Sequence, residues 1–100
     1  MQKVMAQITQ EENRWRVSGP MTVDQVNALL AESGALSTPR EIDLGQVSEV
    51  DTTAVSLLFE WQRQAQAQNT SIAFINLPDN LVSLAQLYGV AELIPQDSSH

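Results

Sequence analysis

The sequence contains no cysteine, and its single histidine is the last residue, His100. Without cysteine there is neither a disulfide framework nor a thiol nucleophile. A histidine at a chain end, where the backbone is commonly disordered, is a poor general base, so Ser–His and Cys–His catalysis lack their base. Only carboxylates remain as metal ligands, and none has the spacing of a calcium loop. We therefore expect no enzyme, no metal and no cofactor.

Basic residues and long apolar runs are also scarce. The chain has five Lys and Arg but twelve Asp and Glu, which gives it a net charge of -7. This charge repels nucleic-acid phosphates and anionic lipid surfaces. The four glycines are too dispersed for a phosphate-binding loop. No window approaches the ~20 apolar residues of a membrane span, and the N-terminus lacks a signal-peptide core. We expect a cytoplasmic protein that neither binds nucleic acid nor inserts into a membrane.

The apolar pattern predicts a single α/β domain, since 100 residues, 43% of them hydrophobic, suffice for one core. Alternating residues predict two antiparallel strands around a turn, and later segments alternate strands with amphipathic helices. The predicted strands are 3–9, 14–19, 40–44 and 71–77, and the predicted helices are 22–33, 53–68 and 78–88. The order ββαβαβα predicts a mixed, mainly parallel sheet with the helices packed mainly on one face. The domain is expected to span 1–95, with 96–100 as a disordered tail.

Several local features carry more specific expectations. Thr22 and Gln25 have the spacing of a capping box. Residues 45–51 are predicted to form a connecting loop that reaches the core through its valines. Trp61 completes an apolar helical stripe and is predicted to be in the core, Tyr88 is assigned to the inner face of the last helix, and Trp15 is left as core or interface.

The start of the second helix carries two neighbouring hydroxyls where a cap needs one oxygen. Either Asp51, Thr52 or Thr53 can cap the helix, which is worth about 1 kcal/mol. On the helical wheel Thr53 shares a stripe of short polar side chains with Ser56, Glu60 and Arg63. That stripe is either an ordinary solvated face or a docking surface for a protein. A hydroxyl at a helix N-terminus is also a favourable place for a phosphoryl group.

The stretch IDLGQVSEVDTTAVSLLFEWQRQAQAQNTSIAFINLPDNLVSLAQLYGVAELI resembles the second half of STAS domains, the anti-sigma factor antagonist family. It has the family order of strand, loop with Asp-hydroxyl-hydroxyl, helix, strand and helix. The segment RWRVSGPMTVDQVNALL resembles the opening strand, glycine and first helix of the family. The resemblance covers nearly the whole chain, and it implies a protein-binding module.

Two branches of the family imply different partners. VSEVDTTAVSLLF and NLPDNLVSLAQLYGVAELI look closest to the MlaB-type subunit of the phospholipid-trafficking ABC transporter that maintains outer-membrane lipid asymmetry in bacteria. This resemblance implies a non-catalytic adaptor, held at the inner membrane by its partner, whose Thr52 contacts the ATPase subunit. The expected partner-binding residues are Asp51, Thr52, Thr53, Ser56, Glu60 and Arg63.

In the anti-sigma factor antagonists, the hydroxyl that corresponds to Thr53 is phosphorylated by a partner kinase. Here Ala54 follows it, where that branch has a glycine. The alternative partner is therefore an anti-sigma factor kinase, with Thr53 as phosphoacceptor.

Overall fold

The computed structural model describes residues 5–90 and contains one four-stranded sheet, in the order β1-β2-β3-β4, and three helices. The elements are β1 (Gln7–Glu11), β2 (Arg14–Met21), α1 (Val23–Gly34), β3 (Glu41–Val50), α2 (Thr52–Ala67), β4 (Ala73–Ile75) and α3 (Asp79–Leu87). β1 pairs antiparallel with β2, whereas β2 with β3 and β3 with β4 are parallel. The predicted order and the mixed, mainly parallel sheet are confirmed.

The two faces of the sheet differ sharply in polarity. Trp15 and Ile42 are paired in the register of β2 and β3, and both side chains are buried. The neighbouring pair Arg14 and Glu41 faces the other way and forms an ion pair of 2.9 Å across the strands. Successive side chains of a strand point to opposite faces, so one face of the sheet supplies the core and the other is polar.

The helices pack on the apolar face around Trp61 of α2, which is 1% exposed. Its ring meets Trp15 edge to face, with centroids 5.7 Å apart and an interplanar angle of 80°. Its indole N–H donates to Oγ of Ser33 in α1, 2.9 Å away. Trp61 is therefore in the core, as predicted, and so is Trp15, whose position the sequence left open.

β3 is longer than the sequence predicts and β4 is shorter. The predicted loop over 45–51 is mostly strand, because β2 pairs with β3 as far as Met21 and Val50, across two register shifts. Val47 is buried, as expected, although it lies in a strand rather than in a loop. The predicted strand over 71–77 is reduced to three residues, Ala73–Ile75, and is followed by Asn76 at a φ of 58°. Only the central residue of β4, Phe74, is fully buried.

The helix bounds agree with the prediction to within one or two residues, but the predicted capping box is wrong. The side chain of Thr22 makes no capping hydrogen bond, although Thr22 is the N-cap of α1. The side-chain oxygen of Gln25 instead accepts from the backbone N–H of Ala6, 3.1 Å away, in the segment before β1. The predicted tail over 96–100 and the start of the first predicted strand lie outside the described residues.

Candidate functional site

The site forms where β3 ends and α2 begins, at the Asp51 carboxylate. Asp51 has an extended backbone and is the N-cap of α2. Its Oδ1 accepts a hydrogen bond from the backbone N–H of Thr53 at 2.9 Å, and the Thr53 hydroxyl donates to the same oxygen. A carboxylate at this position satisfies a free N–H and interacts favourably with the helix dipole. The cap is therefore the aspartate rather than either threonine.

The other oxygen of Asp51 connects α2 to α1. Oδ2 accepts from the backbone N–H of Val23, 3.0 Å away, at the first residue of α1. That N–H is one of the donors that a helix leaves unsatisfied at its N-terminus. One side chain therefore caps two helices, and this contact also explains why Thr22 needs no capping side chain of its own.

These hydrogen bonds control the ionisation of Asp51. Partial burial on its own would raise the pKa of the carboxyl. The hydrogen bonds from the Thr53 hydroxyl and from the N–H groups of Val23 and Thr53 outweigh that effect and hold the pKa of Asp51 below its ordinary value. The carboxylate is therefore charged at neutral pH, and its charge lies at the N-termini of α1 and α2.

The expected site residues of α2 share one face of the helix, but they differ in accessibility. Thr52 and Ser56 are exposed, whereas Thr53 is half-buried and its hydroxyl is engaged by Asp51. Helical residues three and four apart are neighbours, so Ser56 also lies beside Thr52 and Thr53. The two hydroxyls therefore have separate roles, because Thr53 completes the cap and Thr52 is presented to solvent.

Further along α2, Glu60 and Arg63 form a local ion pair. An Arg63 guanidinium nitrogen lies 2.7 Å from Glu60 Oε2, and the Gln64 amide donates to the same oxygen at 3.2 Å. Arg63, and to a smaller degree Gln64, holds the pKa of Glu60 below its ordinary value. The charges of this pair are mutually satisfied, so it presents little net charge to a partner.

Asp43 lies close to Asp51 in sequence, but these two acids do not form a pair in the structure. Asp43 and Asp51 are separated by most of β3, a distance of about 25 Å at the usual rise per residue of a strand. The Asp43 carboxylate accepts from the N–H of Gly45 at 2.8 Å and from the Asn76 amide at 3.2 Å. Within residues 5–90, no three histidine or carboxylate side chains are grouped so that they could hold a metal.

Sequence reasoning missed one part of this surface. Thr52 and Ser56 form one side of a cleft of about 350 Å³, which is completed by Val55, Phe59 and Tyr88. Tyr88 was assigned to the inner face of the last helix, but it is 57% exposed. It lies just beyond Leu87, the last residue of α3, as the C-cap, where helical spacing no longer determines the direction of a side chain. The only signal in the sequence for this exposed position is that Tyr88 directly precedes Gly89, a residue typical of helix ends.

A family model described as "Mlab, STAS domain" matches residues 4–95. The chain is a STAS-domain protein. STAS domains are protein-interaction modules and are generally non-catalytic. No curated protein sequence matches the chain significantly. Among the described residues, no helix of this STAS domain is both long and apolar enough to cross a membrane.

Two solved structures have the same fold as this STAS domain. An anti-sigma factor antagonist from Mycobacterium paratuberculosis is 16% identical, with a TM-score of 0.71 over 97% of this chain and 87% of that one. The anti-sigma factor antagonist SpoIIAA in its unphosphorylated form is also 16% identical, with a TM-score of 0.63 over 94% of this chain and 89% of that one. At this level of identity the likeness establishes the fold.

Proposed function

We propose that this STAS domain is a non-catalytic, cytoplasmic adaptor that binds the ATPase subunit of an ABC transporter for phospholipid trafficking and outer-membrane lipid asymmetry. The observation that carries the proposal is the match of the MlaB-type family model over residues 4–95. The adaptor would be held at the inner membrane through its ATPase partner rather than by contact with lipid.

The proposed contact surface comprises Asp51, Thr52, Thr53, Ser56, Glu60 and Arg63. Its accessible centre is formed by Thr52 and Ser56, two small hydroxyl side chains at the start of α2. Both can hydrogen-bond to a partner without losing an existing bond, since neither side chain is hydrogen-bonded to another described residue. Asp51 and Thr53 contribute by holding this part of α2 rigid.

The alternative is an anti-sigma factor antagonist regulated by phosphorylation at Thr53. The Thr53 hydroxyl is hydrogen-bonded to the Asp51 carboxylate, so a phosphoryl group would have to break that bond. It would also add about -1.5 to -2 charges beside an existing negative charge. The helix N-terminus would offset part of this repulsion. These contacts favour Thr53 as a structural residue, and we retain the adaptor as the proposed function.

Co-purification with the recombinant ATPase subunit of the transporter tests the proposal. Thr52→Glu places a bulky charge at the exposed centre of the surface, and we expect it to abolish co-purification. An acid in the first turn of a helix interacts favourably with the helix dipole, and an unchanged melting temperature of the variant would show that loss of binding does not reflect unfolding. Thr9→Glu is the matched control, because Thr9 is an exposed residue of β1, and it should co-purify like the parent. Equal recovery of Thr52→Glu and the parent would contradict the proposed surface.

A further inference from the structure

The cleft between α2 and α3 has an apolar floor and a hydroxyl-bearing rim. Val55 is buried and Phe59 half-buried, whereas Thr52, Ser56 and Tyr88 are exposed around them. Its volume of about 350 Å³ is near the lower limit of small-molecule pockets, about 300–1,000 Å³. No charged side chain of residues 5–90 lines it. A cleft of this kind fits an apolar side chain whose neighbours hydrogen-bond to the rim.

Tyr88 is exposed without a structural reason within the described residues. It is 57% exposed, and its hydroxyl has no hydrogen-bond partner among residues 5–90. Tyrosine is enriched at protein interfaces and among the residues that dominate binding energy. Leu87, the preceding residue, is 76% exposed but does not line the cleft. Substitution of Tyr88 therefore tests the cleft, and substitution of Leu87 tests exposed apolar surface outside the cleft.

The end of the fold that carries Thr52 has more acids than bases among the described residues. Asp24 lies in the first turn of α1, Glu49 lies near the end of β3, and Asp51 bridges the two helices. Three of the arginines of the described residues, Arg14, Arg16 and Arg40, lie in β2 or directly before β3. Arg63 lies one helical turn beyond Phe59, and its charge is paired with that of Glu60, 2.7 Å away. This end of the protein attracts a basic partner, and it repels a second copy of this chain.

We propose that the surface which receives the ATPase continues from α2 across this cleft onto Tyr88, and that it accepts an apolar side chain of the ATPase flanked by Lys or Arg. This inference rests on the proposed adaptor function, and it adds the position and the chemistry of the contact. The apolar floor supplies burial for the inserted side chain. The acids at the N-termini of α1 and α2 supply attraction and orientation for the flanking bases.

The test is a set of dissociation constants for the recombinant ATPase subunit with the parent, Tyr88→Ala, Leu87→Ala and Thr52→Glu. Tyr88→Ala should weaken binding at least about tenfold, as truncation of a central aromatic residue does. Leu87→Ala should stay within about twofold, in the range of a neutral interface or surface position. The parent affinity should fall between about 50 and 300 mM NaCl as the charges are screened, and less so in Glu49→Gln.

The possible outcomes separate the inference from the function on which it rests. If Thr52→Glu abolishes binding while Tyr88→Ala binds like Leu87→Ala, the adaptor stands and the interface does not extend across the cleft onto Tyr88. Binding that is insensitive to salt would overturn the basic character of the partner. Self-association of the parent in sedimentation velocity that Tyr88→Ala removes would make a second copy the occupant and overturn the inference. A parent that does not bind the ATPase would overturn both proposals.

Discussion

The backbone N–H of Val23 donates a hydrogen bond to Oδ2 of Asp51, 3.0 Å away, although the two residues are 28 positions apart in sequence. The other oxygen of the same carboxylate caps α2 through the N–H of Thr53. Thr52, the proposed centre of the partner surface, lies between Asp51 and Thr53 in the sequence, and its side chain is exposed. The geometry of that surface therefore depends on Asp51 as well as on the residues that a partner would touch.

Asp51→Ala should destabilise the domain more than a usual cap deletion. Removal of a single N-cap costs about 0.5–2 kcal/mol, and here two helices lose a capping partner at once, so we expect a loss of about 2 kcal/mol in the free energy of unfolding. Asp24→Ala, in the exposed first turn of α1, is the control and should cost no more than about 0.5 kcal/mol. The midpoint of urea unfolding measures both, and equal midpoints for the two variants would contradict the double cap.

The contribution of Asp51 should also depend on pH. Its pKa is lower in the folded protein than its ordinary value, so its stabilising effect is present above the unfolded pKa, about 3.9, and is lost as the pH falls through the folded pKa. The difference in urea midpoint between the parent and Asp51→Asn should therefore be full at pH 7 and should shrink below about pH 4. A difference that is constant between pH 7 and pH 3 would show that ionisation of this carboxyl is not coupled to folding.

Ser33→Ala should reveal the buried hydrogen bond of Trp61. The indole N–H donates to Ser33 Oγ, and the Ser33 hydroxyl in turn donates to the carbonyl of Leu30 at 3.0 Å. Loss of the acceptor leaves a buried N–H unsatisfied, at a cost of about 1–3 kcal/mol. In a Trp61→Phe background, which has no such donor, the same substitution should cost much less. Thermal unfolding of the four proteins by circular dichroism gives the coupling, and additive effects would mean that the bond contributes nothing.

Gly19→Ala should be strongly destabilising and Gly34→Ala should not. Gly19 has a φ of +88°, and a Cβ on it would lie 2.8 Å from the carbonyl oxygen of Met5. That contact is too short, and the backbone conformation disfavours any residue except glycine. Gly34, at the end of α1, has no neighbouring atom within 4 Å of the same position, so alanine should be neutral or stabilising by up to about 1 kcal/mol. Similar melting temperatures for the two variants would contradict the close approach at Gly19.

The sequence predicted the element order well because strand alternation and helical stripes reflect one buried face. The prediction failed where contacts between distant segments determine the local structure. β3 extends through 45–51 because β2 lies beside it, and Gln25 bonds to Ala6 rather than to its own helix start. At the site, the spacing of Thr53, Ser56, Glu60 and Arg63 predicted one shared stripe of α2, and the binding of a partner there stays a prediction. The double cap by Asp51 and the cleft at Tyr88 join segments far apart in the chain, and no local pattern encodes such contacts.

The most direct test of the adaptor function is a pull-down of the tagged protein from its native cells, with mass spectrometry of the partners and of the peptide that contains Thr52 and Thr53. The account predicts recovery of an ABC ATPase and its permease, with both threonines unmodified. Recovery of a kinase-like anti-sigma factor, with a phosphoryl group on Thr53, would contradict it and establish the phosphorylation-regulated antagonist instead.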